Sequence, residues 1–267
     1  MDFAPATLLI VAAIGLTAGT LGGLAGIGGS LVMLPALGLL LGYRDAAHTD
    51  QHLYMGAAMC VNFLVALPAA LRHARAGAMR RDLVRLLLPS MAAAMVLGVL
   101  ISNQAPGELL RRLLAAFIAL YCAINLVTLA RRLGGKERGP ERRSPGLMVA
   151  IGTAAGLVAG ILGLGGGVVM VPLMQVFARV PLRNAIAVSC GVMCITSALG
   201  AAIKVSTLPE LGLGVGEALT LAGIMAPGAM LGAMLGATLT HALPLPWVRG
   251  LISAALLAAA AKLAGIF

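Results

Sequence analysis

Charge is what this sequence most lacks. Only 10% of its 267 residues are Asp, Glu, Lys or Arg, where a soluble domain carries about 25%. With 60% hydrophobic residues and a mean hydropathy of +1.02, a soluble globular protein is excluded. Acids are the scarcest: there are nine, and none lies deep in an apolar run. Hydrolases, metalloenzymes and redox enzymes need clustered ionisable groups. There is no HExxH, no GxSxG and no P-loop lysine, so neither an enzyme nor a cofactor or metal is expected. Aromatics are 3% of the chain and do not interleave with the bases, so the net charge of +10 does not point to nucleic acid. The four cysteines, Cys60, Cys122, Cys190 and Cys194, all stand in apolar runs and read as small buried hydrophobes. Met1-Asp2-Phe3 lacks the basic start of a secretory signal, so the first apolar run is expected to stay as membrane helix.

What is present is a series of long charge-free runs, at 3–43, 51–71, 86–107, 113–130, 144–178, 184–203 and 218–248. A span needs about 20 apolar residues. The runs are continuous rather than alternating, which excludes a β-barrel. An all-α polytopic membrane protein is expected. The bases concentrate in loops 72–85 and 131–145, the pattern of cytoplasmic loops. A bacterial-type inner membrane, with those loops inside, follows as the expectation. The lipid bilayer is then the one certain partner.

One stretch is written twice. GGLAGIGGSLVMLP at 22–35 reappears as AGILGLGGGVVMVP at 159–172. Windows 15–35 and 152–172 share ten of 21 residues, including Gly15/Gly152, Gly19/Gly156, Gly23/Gly160, Gly28/Gly165, Gly29/Gly166 and Pro35/Pro172. Further on the offset becomes 138, with Pro89/Pro227, Gly98/Gly236, Pro106/Pro244 and Arg111/Arg249. Two homologous repeats are expected, 1–133 and 146–267, joined by a basic linker 134–145. Each should hold a glycine-broken helix pair. In the first half helices are expected near 6–24, 30–42, 50–71, 86–103 and 108–130. In the second they fall near 147–163, 167–178, 184–204, 217–240 and 247–266. That makes 8–10 membrane segments, depending on whether the short helices span or re-enter. Loop 72–85 carries five arginines and its counterpart 205–216 none, which favours inverted repeats.

An interior glycine costs a helix roughly 1 kcal/mol relative to Ala, so each glycine cluster marks a break. Broken backbone persists in a bilayer only where protein buries it or it lines a cavity. Paired breaks in two halves point to a transporter's site. The candidate substrate-binding residues are Gly26, Gly28, Gly29 and Ser30 in the first break, and Gly163, Gly165, Gly166 and Gly167 in the second. Asn62, Gln51 and Ser189 are added as polar groups within spans, with Pro35 and Pro172 as structural helix breaks. The starts of the short helices offer unpaired N–H groups for an anion. The plainer alternative is tight helix packing through small residues. Arg183 and Lys204 are expected to snorkel from the ends of their helix, and His73 to face water.

GxxGGxxGIGGSxxMxP followed by GILGLGGGVVMVPLM resembles the sulfite exporter TauE/SafE family of membrane permeases, across essentially the whole chain. The first copy departs in having Ser30 for the third glycine and AAHTDQHLYM where the family tends to have a Thr-Ser pair. The resemblance implies export of sulfur-containing anions such as sulfite or organosulfonates. The combined expectation is a secondary transporter of a small anion working by alternating access. A coupling proton or ion is a potential partner, although no buried acid is available to carry a proton. The alternative is a non-transporting membrane sensor or assembly component.

Overall fold

A computed structural model describes residues 5–26, 28–133, 140–142, 144–242, 253, 256 and 257. These form nine α-helices and, among the described residues, no strand. They are α1 (Pro5–Ala25), α2 (Ser30–Leu40), α3 (Asp50–Arg75), α4 (Arg81–Asn103), α5 (Gly107–Leu133), α6 (Pro145–Leu162), α7 (Gly167–Val176), α8 (Leu182–Ser206) and α9 (Val215–Ala242). Seven are long and apolar enough to cross a membrane; α2 and α7 are shorter apolar helices. The helix expected at 247–266, with Trp247, falls outside the described residues apart from Ser253, Leu256 and Leu257, as does most of linker 134–145.

Three local expectations need correction. The basic loop is shorter than 72–85: α3 runs on to Arg75 and α4 begins at Arg81. Cations in a last helical turn complement its exposed carbonyls, and Arg72, His73 and Arg75 occupy that turn. His73 does not face water; it is fully buried. Pro35 and Pro172 do not break helices but lie inside α2 and α7, as Pro68, Pro89 and Pro227 lie inside long ones. Neighbouring helices in a bundle re-satisfy the carbonyl a proline frees. The glycines make the breaks. Gly26 and Gly28 have φ of 66° and 76°, and Gly163 and Gly166 have 72° and 82°, a region where only glycine is unstrained.

Packing is dominated by glycine stripes that let backbones touch. Gly15, Gly19 and Gly23 of α1 lie against Met225, Ala229 and Ala233 of α9. A Cβ on Gly19 would sit 2.1 Å from the Ala229 carbonyl oxygen. The return stripe, Gly228, Gly232 and Gly236, faces the α1 backbone from Ala12 to Leu24. The equivalent stripe on α6, Gly152, Gly156 and Gly160, lies along α4 from Leu87 to Val99. The first helix of each half therefore packs along the fourth helix of the other.

The contact order along these pairs fixes direction. α1 runs parallel to α9, and α6 parallel to α4. α3 and α8, the most enclosed of the long helices, run antiparallel: His52 meets Lys204, while Asn184 Nδ2 donates to the Ala78 carbonyl at the far end. Arg44, just past α2, pairs with Glu217 at the start of α9, so α2 brings the chain back to the end at which α1 began. Likewise the Arg142 N–H, just before α6, donates to the Ala178 carbonyl just past α7. Connections 76–80 and 207–214 thus lie at opposite ends of the bundle.

Candidate functional site

Both glycine breaks come together inside the bundle, where α3 crosses α8. Gly28 and Gly165 face the same two side chains, Met193 of α8 and Asn62 of α3. The Gly165 N–H donates to Ser30 Oγ at 3.3 Å, linking one break to the other. Gly26, Gly28, Gly29, Ser30, Gly163, Gly165, Gly166 and Gly167 are all buried, so the arrangement is enclosed on every side.

Asn62 is the polar centre and is fully buried. Its Oδ1 accepts from the N–H groups of Gly29 at 2.9 Å and Ser30 at 3.1 Å. The start of α2 is therefore already capped, by a carboxamide oxygen in the place where an anion was expected. The other half of the carboxamide is different: Nδ2 is buried and has no acceptor among the described residues. It lies 3.2 Å from where a Gly165 Cβ would stand. The start of α7 has no such side-chain cap among the described residues. Its first turn bonds Val169 and Met170 N–H back to the Gly166 carbonyl, and the N–H groups of Gly167 and Val168 have no partner within the helix.

Two expected residues have other roles. Ser189 Oγ lies 2.7 Å from the Gly26 carbonyl and 2.9 Å from that of Ile186. It donates to the backbone and pins the first break to α8. Gln51 is not at the breaks. It starts α3, eleven residues before Asn62, or about 16 Å along the helix, where its Oε1 accepts from Tyr43 Oη. Burial pushes the Tyr43 phenol up to about 12, so it stays a donor.

That end of the bundle holds what the sequence reading missed. Lys204 does not snorkel; it is fully buried and hydrogen-bonded to His52, Ser102 and Asn103. Asp50 is buried and held by Arg44. Hydrogen bonds from Arg44 to Asp50 and then Glu217 hold its guanidinium firmly protonated. A polar cavity of about 440 Å³ opens here, lined by Arg44, Asp45, Thr49, Asp50 and Glu217. A larger one of about 630 Å³, lined by Phe117, Leu120, Val168, Leu173 and Phe177, lies on the apolar flank of α5, α6 and α7. It abuts the first turn of α7, but its apolar lining offers an anion nothing. The Lys204 miss has a plain cause: a cation just past the end of an apolar run looks like an interface residue until the neighbouring helix is in place.

Among the described residues, seven helices able to span a membrane surround two buried backbone breaks, which defines a multi-pass membrane protein. The profile of the family described as sulfite exporter TauE/SafE matches residues 11–263, and the chain belongs to that family, whose members are membrane transporters. A "Probable membrane transporter protein MamO" from Magnetospirillum gryphiswaldense is 28% identical over 97% of this chain and 45% of its own length. A "Probable membrane transporter protein" from Haemophilus influenzae is 27% identical over 89% of this chain and 90% of its own. One from Methanocaldococcus jannaschii is 26% identical over 71% and 68%. The chain spans less than half the length of the MamO relatives it matches. No solved structure matches.

Proposed function

We propose that the chain is a secondary transporter that exports a small anion, sulfite or an organosulfonate, by alternating access between two inverted repeats. The observation that carries this reading is the divided role of Asn62. Its oxygen holds the first break closed, while its buried Nδ2 lies unpartnered against the second. An unsatisfied buried donor costs about 1–3 kcal/mol, and a bound anion removes that cost. The open start of α7 adds N–H groups and the positive end of a helix dipole. Enclosure of the breaks is what a carrier needs between its two open states. The antiparallel course of α3 and α8, with crosswise packing of first and fourth helices, supports inversion. Arg72, Arg75, Arg80, Arg81, Arg85 and Arg142 share one end, which supports a cytoplasmic position for that end by the positive-inside rule, where it would gather anions.

The test uses purified protein in liposomes with radiolabelled sulfite and ethanesulfonate. Asn62→Asp keeps an oxygen to cap α2 but deletes the Nδ2 donor and adds a negative charge. Its exchange rate should fall at least about tenfold, as loss of one hydrogen bond to a charged group implies, with the melting temperature little changed. Asn62→Ala loses cap and donor and should lose both stability and flux. Undiminished exchange by Asn62→Asp refutes the seat.

A further inference from the structure

Lys204 lies outside the glycine site, in the last turn of α8. Its Nζ is 2.8 Å from His52 Nδ1, 3.0 Å from Ser102 Oγ and 2.7 Å from Asn103 Oδ1. An ammonium has three protons to give, and here are three acceptors, none a carboxylate. His52 Nε2 lies 3.1 Å from the Ala105 carbonyl, which can only accept. That nitrogen therefore carries the ring proton, and Nδ1 turns its lone pair to Lys204. The charged groups on neighbouring elements are engaged elsewhere. Asp50 of α3 and Glu217 of α9 both hold Arg44, and Tyr54 of α3 donates to the Gly42 carbonyl. Arg111 of α5 acts on Tyr43, and Glu210, in the turn after α8, is exposed. Lys204 is thus a buried cation at the end of a span with neutral partners, a costly arrangement that marks ion and proton paths in membrane proteins.

We infer that Lys204 and His52 form the proton-binding site that couples anion movement to a proton, an inference resting on the transport reading above. A positive Lys204 and an anion at Asn62 offset one another, so enclosing both adds no net charge to the bundle and proton and anion travel together, outward whenever the outward anion gradient exceeds the inward proton gradient. On release, one N–H bond of Nζ breaks, its electron pair stays on nitrogen and the proton passes to water. The neutral amine keeps two N–H groups for Ser102 and Asn103, and His52 Nδ1 loses its donor. The contact between α3 and α8 is then weakened. The same helices carry Asn62 and Met193, about 16 Å further along. Release at Lys204 therefore acts on the packing that closes the breaks, an equilibrium that both ligands bias.

The experiment again uses full-length protein in liposomes, with the membrane potential clamped to zero. Ethanesulfonate is the probe because it stays ionised at every pH used. Two quantities are measured: exchange at equal pH, and net accumulation driven by a pH gradient, alkaline inside. The native protein should do both, with accumulation at least about tenfold above the equal-pH level. Lys204→Gln cannot bind the proton, and Lys204→Arg cannot release it. Both should lose gradient-driven accumulation, and Lys204→Arg, which keeps the charge that offsets the anion, should hold exchange within about threefold of the native rate. The arginine variant retains a buried cation, which keeps the test valid if the glutamine variant folds poorly. Accumulation by either variant at the native level overturns the inference, as does loss of exchange in well-folded Lys204→Arg. Native exchange without any response to the gradient also overturns it but leaves the transport reading standing. Absence of native exchange removes both.

Discussion

At the scale of single residues, the glycines of the breaks divide by what surrounds them. Gly166 combines a φ of 82° with a Met91 methyl 1.8 Å from any added Cβ. A non-glycine residue in the left-handed region costs roughly 1–2 kcal/mol, and Met91 is a flexible neighbour able to give way. Gly166→Leu should therefore still reach the membrane, yet fill the open start of α7 and abolish flux. Gly29 has an ordinary φ of −78°, and its nearest obstacle is the Met33 methyl. Gly29→Leu should be the milder lesion. Sulfite exchange per unit of reconstituted protein measures both; near-native rates in both would return these residues to a packing role. Asn62 and Ser189 stood out in the sequence as polar groups among apolar ones. That one caps α2 with a donor to spare, and the other pins Gly26, was hidden, because each role is defined by a partner far away in the chain.

At the scale of helices, the repeated glycines at 15, 19, 23 and 152, 156, 160 do not belong to the site. They are the contact surfaces of α1 and α6. A Cβ on Gly152 would lie 2.3 Å from Ser90 Oγ and 2.8 Å from the Leu87 carbonyl oxygen. Backbone cannot yield as a side chain can, so α4 and α6 would have to separate and lose their dispersion contacts. Gly152→Leu should lower yield and melting temperature, with exchange per surviving molecule close to native. Loss of exchange in protein of normal stability would show that this stripe takes part in transport. The duplication made both stripes readable as small-residue faces. It did not say that each faces the other half of the chain: spacing shows that a helix has a close-packing face, while the partner depends on how the long connections route the chain.

At the scale of the molecule, charge is sorted by end. The connection after α3 and the start of α6 meet through Arg80, which pairs with Glu141 at 3.5 Å. Hydrogen bonding to Asp82 further raises the basicity of Arg80. The opposite end mixes Asp45, Asp50, Glu108, Glu210 and Glu217 with Arg44, Arg111, Arg112 and Lys204. Single cysteines at Arg81 and Glu210, both exposed, in a background without the native four, test the orientation in intact cells. An impermeant thiol reagent added outside should label the cysteine at 210 and spare the one at 81. The reverse pattern would place the arginine-rich end outside; equal labelling of both would deny that the two connections lie on opposite faces.

Membrane class and all-helical architecture were determined by the sequence alone, because apolar length and the lack of alternation are properties of the linear chain. The glycine breaks were equally legible, since only glycine tolerates the backbone angles found there. The tertiary structure alone decided which breaks meet, which N–H groups are already capped and which remain open. It also decided that Lys204 and His73 are buried rather than wet. Burial and hydrogen-bond satisfaction depend on neighbours that arrive from other helices. No local pattern reveals them: Gly165 finds Ser30, 135 residues away, and Lys204 finds His52, 152 residues away, only when α3 and α8 cross.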